Sequence, residues 1–334
     1  SNFQLSYMYL PKRTDFGAAI FHYSYLYYTY YTDGYLLYPG YVRDRNFGFI
    51  LFLSRPFDRF RRAEFGITGI GINRDYGAID PYAYYYYGIT DMQDLGNLYR
   101  RRILLFNLGY KTDTVIWGMT GPMNGGQSNF SVAYSPSVSK ANGLDFWTAR
   151  GDWRKYLRIK RDYSFVVRLA GGVSGGRNPQ RFLLGGMMGW LNYRYSEISR
   201  DYWSADMFYF SSFETPLRGF LYYEMIGSRF VLTNLEFRFP LIRYLILGWP
   251  LPFGFQNIRG SVFMDVGSAW DDDKRWQPFG SGSTGFKLND LKAGFGFGAR
   301  LNMGFFLLKY DMAWGTDFDR TSKPIHYFTL GAEF

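Results

Sequence analysis

The sequence predicts an all-β chain, a transmembrane antiparallel β-barrel of about 16 strands, and three observations carry that reading. Apolar and polar residues alternate with period two along most of the chain, as they do when successive side chains point to opposite faces of a strand. Aromatic residues make up 22% of the chain, with 31 Tyr, 33 Phe and 9 Trp, yet mean hydropathy is only −0.23. A soluble core cannot easily absorb that many rings, whereas a barrel places apolar side chains outward to lipid, polar ones inward, and aromatic girdles at both interfaces. No run of about 18 or more apolar residues is present, so spanning by helices is excluded and a closed barrel is the remaining membrane structure.

Taken in order, alternating runs place strands near residues 2–10, 17–32, 46–54, 62–73, 80–89, 99–110, 112–119, 128–138, 144–156 and 162–173. Further runs fall near 229–239, 259–270, 290–301, 305–314 and 326–334. Bacterial barrels close with an even strand number, so a sixteenth strand is expected within the chain or ahead of Ser1. In the run from Tyr163 to Ala170, Tyr163, Phe165, Val167 and Leu169 share a lipid face and Ser164, Val166, Arg168 and Ala170 the other. Between Thr233 and Phe239, Leu235, Phe237 and Phe239 face lipid while Asn234, Glu236 and Arg238 face inward, where charge avoids the midplane penalty of about 2–4 kcal/mol. Residues 11–15, 111–113 and 281–284 are short polar breaks between runs. The tyrosine groups Tyr27, Tyr28, Tyr30, Tyr31 and Tyr82, Tyr84–Tyr87 suit an interface, with ring in acyl chain and hydroxyl in water.

The whole chain is expected to be one barrel domain, residues 1–334, with one interruption. Residues 174–228 separate two clear strands by roughly 55 residues, far beyond an ordinary loop. Their glycines and aromatics call for an ordered structure, and a barrel lumen is the surface available to hold it.

Several function classes have little material. Cysteine is absent, which removes disulfides, thiolate metal sites and a cysteine nucleophile. The two histidines, His22 and His326, lie in different expected strands, too little for a triad or zinc site. The glycine sets Gly66, Gly69, Gly71 and Gly294, Gly296, Gly298 precede no helical pattern and read as strand glycines rather than a phosphate loop. Asp271–Asp273 read as a solvated loop tip rather than a calcium site. The formal charge of +10 is scattered, not gathered into the continuous basic face that nucleic acid requires. Catalysis, cofactors, metals and nucleic acid are therefore not expected. An exported barrel carries a leader, and none is written at the start, so a longer precursor is expected.

Leu217-Arg218-Gly219-Phe220 closes the long interruption, preceded by Phe182–Gly186 (FLLGG) and followed by Asn234–Pro240 (NLEFRFP). Ser261–Trp270 (SVFMDVGSAW) comes next, with Phe263, Asp265 and Gly267 on one face, and the last three runs end on an aromatic residue. This order, over roughly residues 140–334, resembles the BamA-like superfamily of outer-membrane insertases and translocases, which includes the TamA and two-partner secretion transporters. Upstream, Ser54–Glu64 (SRPFDRFRRAE) looks like a segment of members that carry a propeller-like domain before the barrel. The resemblance implies an extracellular loop, residues 174–228, folded into the lumen with Arg218, Gly219 and Phe220 as its tip. It implies an inner-wall dock of Phe263, Asp265 and Gly267, joined by Glu236 and Asp311, whose carboxylates a buried guanidinium needs in any case. Gly219 would let the tip turn and Gly267 would leave wall space. Phe328, Leu330, Ala332 and Phe334 alternate toward a terminal aromatic, resembling the seam and assembly signal of such barrels.

The implied function is assistance to polypeptides entering or crossing the bacterial outer membrane, through a lateral seam or a plugged pore. The implied partners are the bilayer with its lipopolysaccharide, and polypeptide clients or partner outer-membrane and periplasmic proteins. Two other readings stay open: a structural anchor for a periplasmic domain or partner complex, and a diffusion porin, which a filled lumen disfavours.

Overall fold

The computed structural model describes every residue except 1, 33–36, 80, 89–91, 119, 197–209, 249–252, 273–274, 283–284, 286, 304–305 and 332–334. The strands are β1 (Phe3–Tyr9), β2 (Asp15–Thr32), β3 (Leu37–Pro56), β4 (Arg61–Ile79), β5 (Met92–Asp113), β6 (Ile116–Gly118), β7 (Gly121–Ser135), β8 (Phe146–Lys160) and β9 (Tyr163–Gly176). They continue with β10 (Phe182–Leu184), β11 (Ser212–Glu214), β12 (Met225–Gly227), β13 (Arg229–Leu247), β14 (Phe253–Trp270), β15 (Phe279–Gly280), β16 (Lys287–Leu288), β17 (Lys292–Asn302), β18 (Leu307–Thr316) and β19 (Ile325–Leu330).

A 14-stranded sheet runs in the order β1-β2-β3-β4-β5-β7-β8-β9-β13-β14-β17-β18-β19, with β6 off this path on β7. Among the described residues its strands pair antiparallel. Among the described residues the count is below the expected 16, because one expected run is not a strand and no sixteenth strand joins the sheet. The expected strand at 80–89 is instead a helix, α1 (Pro81–Tyr87). Proline is at home in the first turn of a helix, and a run of tyrosines has no polar alternate face to define a strand. Tyr82 and Tyr85–Tyr87 are exposed there. Ser54–Glu64 forms the tight turn from β3 into β4, where the Asp58 carboxylate accepts the Phe60 and Arg61 amides.

The chain divides into two compact units. The first holds Ser1–Gly109, Val132–Trp147 and Gly176–Asn178. Within it β1 to β4 pair in unbroken register, so each row of partners shares a face. On one face β3 carries Phe47, Phe49, Leu51 and Leu53, beside Phe16, Ile20 and Phe65 of its neighbours, with several of these rings and chains exposed as lipid-facing residues are. On the other face Asp44 meets Arg74 in a two-pronged ion pair at 2.6 and 2.7 Å.

The second unit holds Tyr110–Ser131, Thr148–Gly175 and Pro179–Phe334. Strand β9 alternates as its sequence does: Ser164, Val166, Arg168 and Ala170 are buried, and Tyr163 and Leu169 are exposed. In β13, Asn234, Glu236 and Arg238 are buried on the covered face. What covers them is the segment between β9 and β13. Its strands β10, β11 and β12 form a small sheet of their own, with β10 parallel to β11 and antiparallel to β12. Phe182, Leu184 and Leu217 of the segment pack with Ala170, Phe230, Leu232 and Ala269 of the large sheet. A second cluster joins Met187 and Trp190 to Phe263, Ala313 and Tyr327. Burying such side chains is worth about 1.5–3 kcal/mol each, which is what orders so long a connection.

Candidate functional site

Arg218 reaches the large sheet at the tip of this segment, with no exposed side-chain surface. Its backbone amide donates to Asp265 Oδ2 at 3.0 Å, its Nε to the same oxygen at 2.7 Å and its Nη2 to Asp265 Oδ1 at 2.9 Å. Its Nη1 donates to Glu236 Oε2 at 2.8 Å and stands 3.6 Å from Asp311 Oδ2. The guanidinium lies over the Phe263 ring, 3.4 Å from its centre, a stacking that suits a planar, weakly hydrated cation. The fork of the guanidinium thus fills two carboxylates from β14 and β13 and approaches a third from β18.

Buried charge is costly unless it is paired, and the surrounding residues supply partners. Arg238 Nε donates to Glu236 Oε1 at 2.9 Å, and its Nη1 to the Pro122 carbonyl at 3.0 Å. Arg300 bonds Asp311 through Nη1 and Nη2 and lies 3.5 Å from Glu236 Oε1. The three guanidiniums of Arg218, Arg238 and Arg300 therefore balance the three carboxylates of Glu236, Asp265 and Asp311. Asn234 Nδ2 donates to Asp265 Oδ1 and to the Pro216 carbonyl, both at 2.8 Å, tying wall to tip through one amide. Farther along the segment Glu214 is paired to Arg150 at 2.8 Å, and burial pushes its carboxyl above the ordinary value against the pull of that guanidinium. Tyr223, packed near Tyr195 and Tyr222, has its hydroxyl pushed up to about 12 by burial.

The tip needs its glycines. Gly219 has φ +92°, and a Cβ there would stand 2.6 Å from the Trp314 carbonyl carbon. Its amide donates to the Tyr327 hydroxyl at 2.9 Å, and that hydroxyl donates to the Phe220 carbonyl at 2.7 Å. On the wall, the glycines that admit the tip are Gly294 and Gly315, where a Cβ would meet the Arg218 and Gly219 carbonyl oxygens at 1.8 and 2.8 Å. Gly267, expected to leave wall space for the docked loop, has Leu184 of that segment 3.2 Å from its Cβ position, beside Leu232 of β13 at 3.1 Å. It accommodates β10 rather than the arginine.

The structure therefore brings Arg218, Gly219, Phe220, Phe263, Asp265, Glu236 and Asp311 into one cluster, with Gly267 beside it. Tyr327, Asn234, Arg238, Arg300, Gly294 and Gly315 complete it; of these the sequence placed Asn234 and Arg238 on the inward face and Gly294 in a strand, without assigning them to the site. Tyr327 could have been found by parity, since it alternates with the lipid-type residues Phe328 and Leu330. Those two are 45% and 44% exposed on one face of β19, whereas Tyr327 and Thr329 are fully buried on the other. Ala332 and Phe334 lie outside the described residues.

The edge of β19 away from β18 is also occupied. Trp190 bridges to Thr329, the Leu191 amide donates to the Phe328 carbonyl at 2.8 Å, and Asn192 both accepts the Phe328 amide at 3.2 Å and donates to the His326 carbonyl at 3.1 Å. Asp271, expected as a solvated tip, holds Arg181 and the Ser228 amide. Among the described residues no group of three or more potential metal ligands occurs.

No curated protein sequence matches the chain. Among solved structures it is similar to BamA from Haemophilus ducreyi lacking POTRA domains 1–3, with 14% identity and a TM-score of 0.59, covering 99% of this chain and 62% of that one. It is also similar to CdiB from Acinetobacter baumannii, with 15% identity, a TM-score of 0.51 and coverage of 98% and 49%, and to CdiB from Escherichia coli, with 14%, 0.50, and 98% and 52%. The chain thus spans less than two thirds of each of those proteins. The profile of the Omp85 superfamily domain matches residues 27–334. With that match over most of its length, the chain belongs to the Omp85 superfamily, non-enzymatic β-barrel proteins of the bacterial outer membrane.

Proposed function

We propose that the chain assists polypeptides in entering or crossing the outer membrane, using a plugged barrel whose last strand forms one side of a lateral seam. The observation that carries this reading is the Arg218 tip, held by the carboxylates of Glu236 and Asp265, with Asp311 close by, on three strands of the large sheet. A tip so held supports reading the segment between β9 and β13 as a lumen plug, which suits a protein that must remain sealed to small solutes while handling a chain. The bilayer is the second partner, and the client arrives as an extended segment able to add to a strand edge. No bond is made or broken in the client, so no catalytic group is required. The likeness to BamA and CdiB supports the same reading.

Reconstitution tests it. Liposomes containing the protein should speed the folding of an urea-unfolded test barrel severalfold over empty liposomes. No acceleration, with the protein shown to be folded by its heat-shifted gel mobility, overturns the proposal, and a large steady conductance in planar bilayers would point to a porin.

A further inference from the structure

Strand β3 carries a charge pattern that polypeptide handling does not use. Along its lipid-type face the residues run Arg43, Arg45, Phe47, Phe49, Leu51, Leu53, Arg55. The apolar stretch between Arg45 and Arg55 is nine residues long, Asn46–Ser54, and a tilted membrane strand needs about 9–11. The two arginine levels therefore mark the two headgroup regions, with the stems lying along the apolar band and the charges at its rim. Connections at the Arg55 end, residues 10–14 and 57–60, are short, whereas residues 80–91 and 136–145 at the other end are longer, and the longer loops of such barrels are extracellular, so Arg43 and Arg45 lie at the outer leaflet.

At that outer level, among the described residues, arginines outnumber the carboxylates that face them. Arg43 Nη2 and Arg45 Nη2 share the single carboxylate oxygen Asp75 Oδ2, at 3.2 and 2.5 Å. Arg102 of β5 donates to Asn73 Oδ1 at 3.0 Å, and Asn73 is the cross-strand partner of Arg45. The Arg102 guanidinium lies over the Phe47 ring at 5.1 Å, the first apolar residue of the band. Among the described residues two guanidiniums thus share one carboxylate, and a third, from β5, stands beside them on the Asn73 amide oxygen. On the opposite face at the same height Asp44 and Arg74 form a two-pronged ion pair. Arg43 and Arg45 retain 40% and 38% side-chain exposure, so the excess charge is open to a ligand.

We propose that Arg43, Arg45 and Arg102 form a binding site for the phosphate of an outer-leaflet glycolipid, a lipid A headgroup whose acyl chains lie on Phe47, Phe49 and Leu51. Phosphate is the chemistry that forked guanidiniums match with paired hydrogen bonds. A headgroup at the edge of an apolar band is the form in which it reaches this site. The site rests on the outer-membrane location and not on any polypeptide client, so it stands or falls separately from the proposed function.

The test is lipid retention by the full chain in nanodiscs of phosphatidylcholine containing lipid A, read by native mass spectrometry. Wild-type protein should retain lipid A, and Arg45→Gln/Arg102→Gln should weaken retention about tenfold or more, whereas Arg55→Gln at the other rim should not. Heat-shifted gel mobility verifies folding of each variant. Should the double variant not fold, dephosphorylated lipid A presented to the wild type serves instead and should bind about tenfold more weakly. Equal retention by wild type and double variant, equal binding of dephosphorylated lipid, or full displacement by millimolar inorganic phosphate overturns the proposal.

Discussion

Asp265 receives three hydrogen bonds from Arg218, one from its backbone amide and two from its guanidinium. The carboxylate thus fixes both the position of the tip and the direction of its side chain. Removing one member of a buried pair leaves its partner's charge uncompensated, at about 3–5 kcal/mol. Arg218→Ala should release the segment between β9 and β13, lower the temperature at which gel mobility shifts to the unfolded form, and open residues 179–228 to protease. Arg218→Lys, which keeps the charge but loses the fork and the stacking on Phe263, should fall between Arg218→Ala and wild type. A melting profile for Arg218→Ala identical to wild type would show that the contact holds nothing.

Gly294 supplies the space for that tip. A methyl group there would come within 1.8 Å of the Arg218 carbonyl oxygen, a backbone atom that a rotamer change cannot move aside. Gly294→Ala should cost about 1–3 kcal/mol by overpacking. Combined with Arg218→Ala it should add less than its separate effect, because both act on the same contact. Gly248→Ala, with nothing within 4 Å of its Cβ position, is the control and should be neutral. Full additivity in the double variant would separate the two residues.

Residues 190–192 cover the edge of β19, so any strand joining that edge must first displace them. Trp190→Cys/Thr329→Cys tests the pairing in a chain without native cysteine. The two residues bridge across the strand pair, and both side chains lie with Tyr327 on the buried face. Oxidation should lock the folded protein into a cross-linked form and slow its acceleration of test-barrel folding, and reductant should restore it. Asn192→Ala, which removes the bonds to Phe328 and His326, should hasten hydrogen exchange at the Phe328 amide by about fivefold, in line with the loss of one net hydrogen bond. A folded double-cysteine protein that never cross-links would refute the edge contact.

The faces of the strands were legible because period two is a local property. Leu235 and Phe237 on one side, with Asn234, Glu236 and Arg238 on the other, needed only their order in the chain. Where a segment has no polar alternate, as in Pro81–Tyr87, the pattern is silent and helix replaced the expected strand. The arginine tip and Asp265 could be named from motif order and from the need of a buried guanidinium for carboxylate. Their companions could not. Arg300 lies 82 positions from Arg218 in the sequence, Tyr327 109, and no spacing rule joins residues on strands whose register depends on pairing.

The sequence by itself determined which side chains meet lipid, that charge faces the other way, and that Arg218 requires acid partners, since these follow from strand geometry and the cost of unpaired charge. Only the tertiary structure decided that Gly294 and Gly315 rather than Gly267 admit the tip, and that Tyr327 clasps it. It also placed two arginines on one aspartate at the edge of an apolar band. Those outcomes depend on distances of a few tenths of an ångström between strands far apart in the chain, which are set by register and packing together.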